Sequence, residues 1–102
     1  MIGELARRLA LQEELRVADG CGGFTASWNE VALLWGLIAA VGGREIVPEA
    51  ERRSRVTIRW RGGVSPSQRF VSDGRVFEIE TVRDPDGRAR FLICDCIEKD
   101  LV

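Results

Sequence analysis

Apolar and polar residues alternate over short stretches of the chain, and turn-forming residues separate one stretch from the next. The clearest alternation covers residues 55–61, where Val56, Ile58 and Trp60 are separated by polar or basic residues. A period of two is typical of a strand that buries one face. The same pattern predicts strands over residues 6–17, 24–29, 68–72, 75–83 and 88–99.

Two segments allow a second interpretation. Residues 6–17 are rich in helix formers, but Leu9, Leu11 and Leu15 fall on one side of an extended chain, which favours a strand. Residues 31–41 are apolar throughout. This run predicts either a strand buried on both faces or a short core helix.

Glycine and proline mark the turns. Residues 19–23 contain three glycines, which supply positive φ angles freely. Residues 84–87 read Asp-Pro-Asp-Gly and predict a tight hairpin turn. Residues 44–55 are charged and include Pro48, which indicates an exposed excursion with one or two helical turns. We therefore predict a single all-β domain over residues 1–102, a six-stranded barrel or sandwich with one charged loop or short-helix excursion.

Large aromatic residues on the predicted strands are the expected core. The last strand, residues 88–99, is apolar on both faces, as in a covered strand or one that meets a partner. The residues assigned to the core are Trp28, Trp35, Trp60, Phe77 and Phe91.

Charge is unevenly distributed, although the net charge is only −1. Residues 52–75 hold seven arginines and one acidic residue, Asp73, so the rest of the chain is acidic. Such a division allows copies of the chain to attract one another, or to attract a neighbour of opposite charge. The alternative is that arginine simply fills exposed strand positions.

The residues that most enzymes use for catalysis are scarce. The chain has no histidine and no tyrosine, so neither a Ser–His nor a Cys–His nucleophile pair can form. Cys94 and Cys96 share one strand face, and with only Cys21 as a third thiol we predict small buried hydrophobic residues, not zinc ligands. The sequence therefore predicts neither an enzyme nor a metal site.

Membrane insertion and secretion are not expected from the sequence. The longest apolar run, residues 31–41, has eleven residues, fewer than the ~20 that a membrane-spanning helix needs. The first ten residues are charged and lack the apolar segment of a signal peptide. We therefore expect a soluble protein that is made inside the cell with reduced thiols.

A basic strand face raises an alternative function. Arg55, Arg59 and Arg61 lie on one face of the predicted strand and can follow a nucleic-acid backbone. Trp60 is predicted to point away from them, whereas base-stacking surfaces place aromatic residues beside the charge. A small nucleic-acid-binding β-barrel is therefore the alternative.

Short pieces of sequence occur in a distinctive order along residues 7–102. They are Arg7-Arg8, Asp19-Gly20 with Gly22-Gly23 and Phe24, Trp28, Val31, the step from Trp35 to Ile38, Gly43-Arg44-Glu45, Val56-Thr57-Ile58-Arg59-Trp60-Arg61, Val64, Pro66, Arg69 and Gly74-Arg75-Val76-Phe77-Glu78-Ile79. In this order and spacing the chain resembles the head–tail joining proteins of long-tailed bacteriophages, also called head-closure or stopper proteins. Phage-derived gene transfer agents have relatives of this family.

The resemblance implies a small β-barrel that forms a homo-oligomeric ring, with six copies favoured over twelve, in the neck of a virion or phage-like particle. The ring is expected to close the DNA-filled head and to contact the portal-adaptor ring on one side and the tail terminator or tail tube on the other. Packaged DNA in the channel is a further contact that the resemblance allows. It also implies assembly from the bacterial cytoplasm, with no enzymatic activity, no cofactor and no membrane.

Charged residues of the excursion and of the strand after it are the predicted partner contacts. A ring needs complementary patches on adjacent copies, and arginine is favoured at interfaces because its planar group donates several hydrogen bonds. The predicted interface residues are Arg44, Glu45, Glu49, Glu51, Arg52, Arg53, Arg55, Arg59 and Arg61.

Overall fold

The computed structural model describes residues 7–41 and 52–100, which form six strands and no helix. The strands are β1 (Arg7–Ala18), β2 (Phe24–Val41), β3 (Arg52–Arg59), β4 (Gln68–Ser72), β5 (Arg75–Arg83) and β6 (Phe91–Asp100). The prediction of an all-β chain with six strands is confirmed. Within these residues, no helix has the length and apolar character that crossing a bilayer would require.

All six strands belong to one antiparallel sheet that closes on itself. Their order around the closed barrel is β1-β2-β3-β6-β5-β4, and β4 pairs back with β1. The barrel alternative is therefore confirmed over the sandwich. Because a closed sheet has one inward face, a single set of alternating residues fills the interior.

The core consists of inward-facing residues from the barrel strands. Alternate residues of β1, β3 and β6 contribute to it, as their period of two predicts. Its members are Leu9, Leu11, Val56, Ile58, Phe70, Phe77, Ile79, Leu92, Cys94 and Cys96.

Four of the five aromatic residues assigned to the core lie elsewhere. Phe77 is fully buried, but Trp35 and Trp60 remain 52% and 47% exposed. Trp28 and Phe91 are only partly buried. The interior of a six-stranded barrel is narrow, and leucine, valine, isoleucine and phenylalanine side chains already fill it. The tryptophans therefore lie on the outside of the sheet or beyond its end.

β2 is one continuous strand of 18 residues, so the helix alternative for its second half is wrong. Burial on both faces is also wrong, because only one face packs inward. Leu34 and Ile38 pack against the core, whereas Leu33, Trp35 and Leu37 face outward and are exposed. The apolar run thus combines a core face with an uncovered face.

Gly36 permits a close approach inside the barrel. A Cβ atom there would lie 2.5 Å from Leu9 Cδ1 and 3.1 Å from both Ile58 Cγ2 and the Thr57 carbonyl oxygen. These distances leave no room for a side chain, which explains the glycine within the apolar run of residues 31–41.

β1 and β2 continue past the barrel as a two-stranded extension, here called the ribbon (residues 13–30). β4 pairs with β1 only from Ala10 to Glu13, and β3 pairs with β2 only from Gly36 to Val41. Beyond these limits the two strands pair only with each other. A shift in the β1–β2 register marks the base of the ribbon as a β-bulge.

Two boundaries differ from the predictions. β6 begins at Phe91, because residues 84–90 form a loop longer than the tight hairpin expected from their first four residues. β3 begins at Arg52, so the last part of the predicted excursion is strand, aligned by its pairing with β6. The rest of the excursion, with Pro48, lies outside the described residues.

Candidate assembly surface

The first three arginines of β3 pair with acidic residues on β6, the neighbouring strand, and on β5, the strand beyond it. Arg55 Nε donates to Asp95 Oδ1 at 3.1 Å, and Arg52 Nη2 donates to Asp100 Oδ1 at 3.0 Å. Arg53 forms an ion pair with an acidic residue of β5. The uneven charge along the sequence is therefore partly cancelled in the folded chain, because β6 brings acidic residues beside the arginines of β3.

Glu98 is the one buried carboxylate of this charged surface among the described residues, with 7% of its surface exposed. Arg75 donates two hydrogen bonds to it, both at 2.8 Å, and Ser54 Oγ donates a third at 3.0 Å. Hydrogen bonding from Arg75 holds the pKa of the Glu98 carboxyl below its ordinary value, although burial acts in the opposite direction. This charged cluster is therefore a structural tie between β3, β5 and β6.

Arg59 and Arg61 occupy a different environment, beside an open groove of about 440 Å³. It lies where β2 separates from the end of β3, and it is called the groove below. Its remaining walls are Leu33, Leu34, Trp35, Ile58, Trp60 and Gly62. Neither arginine takes part in the ion pairs found within residues 7–41 and 52–100. The groove therefore combines two indole rings with two guanidinium groups that form no ion pair among the described residues, although Arg61 Nε donates a hydrogen bond to the Gly62 carbonyl oxygen.

Next to the groove, the outer face of β2 presents a row of exposed apolar side chains, here called the apolar stripe. Its members are Leu33, Trp35, Leu37 and Val41. The guanidinium of Arg8 lies 5.1 Å from the centre of the Trp35 ring, within the range of a cation–π contact. Contiguous exposed apolar residues bordered by charged groups are typical of a protein-binding surface.

The predicted interface residues fall into three groups. Those outside the described residues are Arg44, Glu45, Glu49 and Glu51. Arg52, Arg53 and Arg55 form the row that is paired within the chain, whereas Arg59 and Arg61 border the groove. Their contacts with a partner stay a prediction.

Sequence reasoning missed the apolar part of the surface. Trp35 and Trp60 were assigned to the core, and Leu33 was taken as one position of a buried run. The apolar run of residues 31–41 was the available signal. It is apolar at every position, so it contains more apolar side chains than a small barrel can bury.

The cysteines agree with a structural role. Cys94 and Cys96 are buried, and burial raises the pKa of Cys94 to about 12 and raises the pKa of Cys96 as well. Cys21 is exposed at the tip of the ribbon. Across the described ranges, no three histidine, cysteine or acidic side chains come together as a metal site would require.

Comparison with known proteins gives a consistent result. The family model described as phage head completion protein matches residues 1–99. A chain in the virion of a native gene transfer agent particle is 28% identical, with a TM-score of 0.73 over 94% of this chain and 96% of that chain. Protein SF1141 from Shigella flexneri 2a, solved in solution, is 25% identical, with a TM-score of 0.72 over 95% of both chains. No curated protein matches the chain.

These similarities confirm the resemblance that the order of sequence motifs had suggested. The family match covers almost the whole chain, and the relative in the gene transfer agent virion shares its fold along nearly its full length. The chain belongs to the phage head completion protein family.

Proposed function

We propose that this phage head–tail structural protein forms a homo-oligomeric ring that closes the DNA-filled head and provides a docking platform for the tail. Six copies are favoured over twelve. The ring contacts a portal-adaptor ring on the head side and the tail terminator or tail tube on the other side. The subunit is made in the bacterial cytoplasm and enters the neck of the particle, where packaged DNA passes through the ring.

The uncovered apolar stripe, together with the groove, is the observation that carries this proposal. Trp35 and Trp60 are about half exposed in a chain whose core is otherwise filled. Tryptophan and arginine are the residues that contribute most at protein–protein interfaces, where a ring of polar contacts excludes water from them. A barrel with this surface is suited to binding other proteins.

The proposed role is structural and includes no catalytic step. The sequence offers no histidine or tyrosine, and the buried carboxylate of the described residues, Glu98, is tied to Arg75 and Ser54. A general acid or base needs a group with an available proton site facing a pocket. Glu98 instead uses its oxygens to hold three strands together.

The test is a complementation assay in a phage or phage-like system whose own gene for this protein has been deleted. The wild-type chain is expected to restore particles that retain DNA and carry tails. Trp35→Glu should remove this activity because it places a charge in the apolar stripe, while circular dichroism still shows the folded sheet. Arg88→Gln, on an exposed loop, is the matched control and should behave as wild type.

Two outcomes contradict the proposal. Particles completed equally well with the Trp35→Glu protein would show that the apolar stripe is not a contact surface. Failure of the wild-type chain to restore DNA retention and tail attachment would remove the connector function itself.

Nucleic-acid binding is the second candidate function. The arrangement of residues in the groove supports it more strongly than the sequence pattern alone. Trp60 was expected to point away from the arginines, but it lines the same groove as Arg59 and Arg61. Aromatic rings beside guanidinium groups are the elements of a single-strand binding surface. Titration with DNA at two salt concentrations tests this function, because a true binder shows tight and steeply salt-dependent affinity. Weak binding at both concentrations would leave the connector function as the better explanation.

A further inference from the structure

The ribbon has apolar residues that are left exposed by the described part of the chain. Leu15 and Val17 on one face of the ribbon are exposed, and Phe24 on the opposite face is 70% exposed. A two-stranded ribbon alone in water is only marginally stable. The ribbon is therefore a surface that gains stability when another surface covers it.

The ribbon and the groove carry opposite charge. The ribbon has four acidic residues and one arginine, and that arginine, Arg16, is paired with Glu14 at 2.9 Å. The groove is bordered by Arg59 and Arg61, and Arg8 lies over the adjacent Trp35 ring. Opposite charges at two apolar surfaces favour their association and set its orientation. The acidic residues of the ribbon are Glu13, Glu14, Asp19 and Glu30.

Both surfaces also have a free strand edge. β3 leaves β2 at Gly36, so the edge of β2 beside the groove has no neighbouring strand among the described residues. β4 leaves β1 at Glu13, so the opposite edge of the ribbon is free in the same way. Unpaired strand edges are templates for strand addition, in which backbone hydrogen bonds hold the partner.

We propose that the β1 edge of one ribbon adds to the free β2 edge at the groove of the next copy. This addition places one face of that ribbon, with Leu15 and Val17, beside Trp35 and Trp60, and the acidic residues of the ribbon meet Arg59 and Arg61. This inference rests on the proposed ring and identifies the contact that builds it. The contact joins two different surfaces, which is the heterologous arrangement that closes into a ring by rotation.

The occupant of the groove is a second copy, not the same chain. β2 provides a strand of the ribbon and also a wall of the groove, between Phe24 and Val41. A ribbon that turned back into its own groove would have to break β2 in the middle. Pairing between copies leaves β2 straight and extends the sheet.

Cross-linking in assembled particles tests the contact. Native Cys21 lies exposed at the ribbon tip, and Gly62→Cys adds a thiol at the groove, where a Cβ atom meets nothing within 4 Å. Cys94 and Cys96 are buried and do not compete for the reagent. Particles containing the Gly62→Cys chain are treated with a short bismaleimide and examined by denaturing electrophoresis. We expect a ladder of covalent multimers, because each copy links to the next.

Lys99→Cys is the matched control. Phe91, at the start of β6, pairs with Arg59 at the groove, whereas Lys99 lies near the other end of the same strand. Binding raises the effective concentration of the two thiols, so Gly62→Cys should cross-link about tenfold or more over this control. Adding Cys21→Ser should abolish the ladder and leave dimers at most. If Gly62→Cys prevents folding, Arg61→Cys places the thiol in the same groove and leaves Arg59 to meet the acidic residues of the ribbon.

The outcomes separate this inference from the proposed function. Completed particles whose Gly62→Cys chains link no faster than the Lys99→Cys chains would overturn the ribbon-to-groove contact and leave the connector function intact. Absence of completed particles with the wild-type chain would overturn the connector function, and this contact with it. If the Gly62→Cys chains cross-link only after nuclease has removed the DNA, the groove binds nucleic acid and not a second ribbon.

Discussion

Replacing Glu98 by glutamine removes one charge from the cluster that ties three strands together. Glu98 accepts two hydrogen bonds from Arg75 and one from Ser54, at 2.8 to 3.0 Å. Hydrogen bonds to a charged group contribute about 1.5–3 kcal/mol, and removing one partner of a buried ion pair costs about 3–5 kcal/mol. Arg75 is 38% exposed and regains water, so the lower value applies. We expect Glu98→Gln to lower the free energy of unfolding by about 2 kcal/mol.

Urea denaturation followed by circular dichroism measures this change. With an m-value of about 1–2 kcal/mol/M, the midpoint should fall by about 1–2 M urea. Asp100→Asn is the control, because Asp100 is an exposed partner of Arg52, and it should change stability by less than about 1 kcal/mol. Equal midpoints for Glu98→Gln and Asp100→Asn would refute the structural role of the cluster.

Comparing the stability of the wild-type protein with that of Glu98→Gln at several pH values gives a second test of the cluster. Arg75 holds the pKa of Glu98 below its value in the unfolded chain. A carboxyl with a lowered pKa contributes its stability above the unfolded pKa and loses it as the pH falls through the folded pKa. The difference between wild type and Glu98→Gln should therefore be constant near neutral pH and shrink in acid, below the ordinary range of a glutamate. A difference that grows on acidification would contradict the assignment.

Three further measurements test the fold. Phe77→Ala should lower the free energy of unfolding by about 3–5 kcal/mol, whereas the half-exposed Trp60→Ala should cost far less; equal losses in urea denaturation would contradict the core assignment. Gly36→Ala should destabilise by about 1–3 kcal/mol through overcrowding, with Gly62→Ala, in open space, as the neutral control in the same assay. Titration with a thiol reagent should detect one rapidly reacting thiol, Cys21, in the folded chain and three in denaturant; three rapid thiols in the folded chain would show that β6 is not buried.

Four of the strands could be predicted from the sequence because each has a clear local signal, whereas β1 and the second half of β2 also allowed a helix. Alternation placed β3 and β5 closely, and the glycine-rich turn at residues 19–23 does adopt positive φ, at 82° for Gly20 and 81° for Gly22. Asp73, which also has positive φ, marks the turn between β4 and β5. Closure of the barrel was one of two predicted outcomes, because a period of two shows that one face is buried but not what covers it.

The apolar part of the candidate surface could not be predicted for the same reason. Hydrophobicity indicates that a residue avoids water, and Trp35 avoids it equally well in a core or under another subunit. Only the packed interior shows that Leu9, Leu11 and Phe70 already occupy the available space. The sequence also could not show that β6 places acidic residues beside the arginines of β3, because that pairing depends on the order of the strands in the barrel.

The two strands of the ribbon are direct continuations of β1 and β2 of the barrel, with no linker between ribbon and barrel. A pull on the tip is therefore transmitted along β1 and β2 into the wall of the subunit. Backbone hydrogen bonds in an antiparallel pair run across the strands, so such a force acts in shear on the bonds that join β1 to β4 and β2 to β3. If neighbouring copies contact each other through these tips, many backbone hydrogen bonds share the tension in the assembly. The subunits then resist separation without any covalent bond between them.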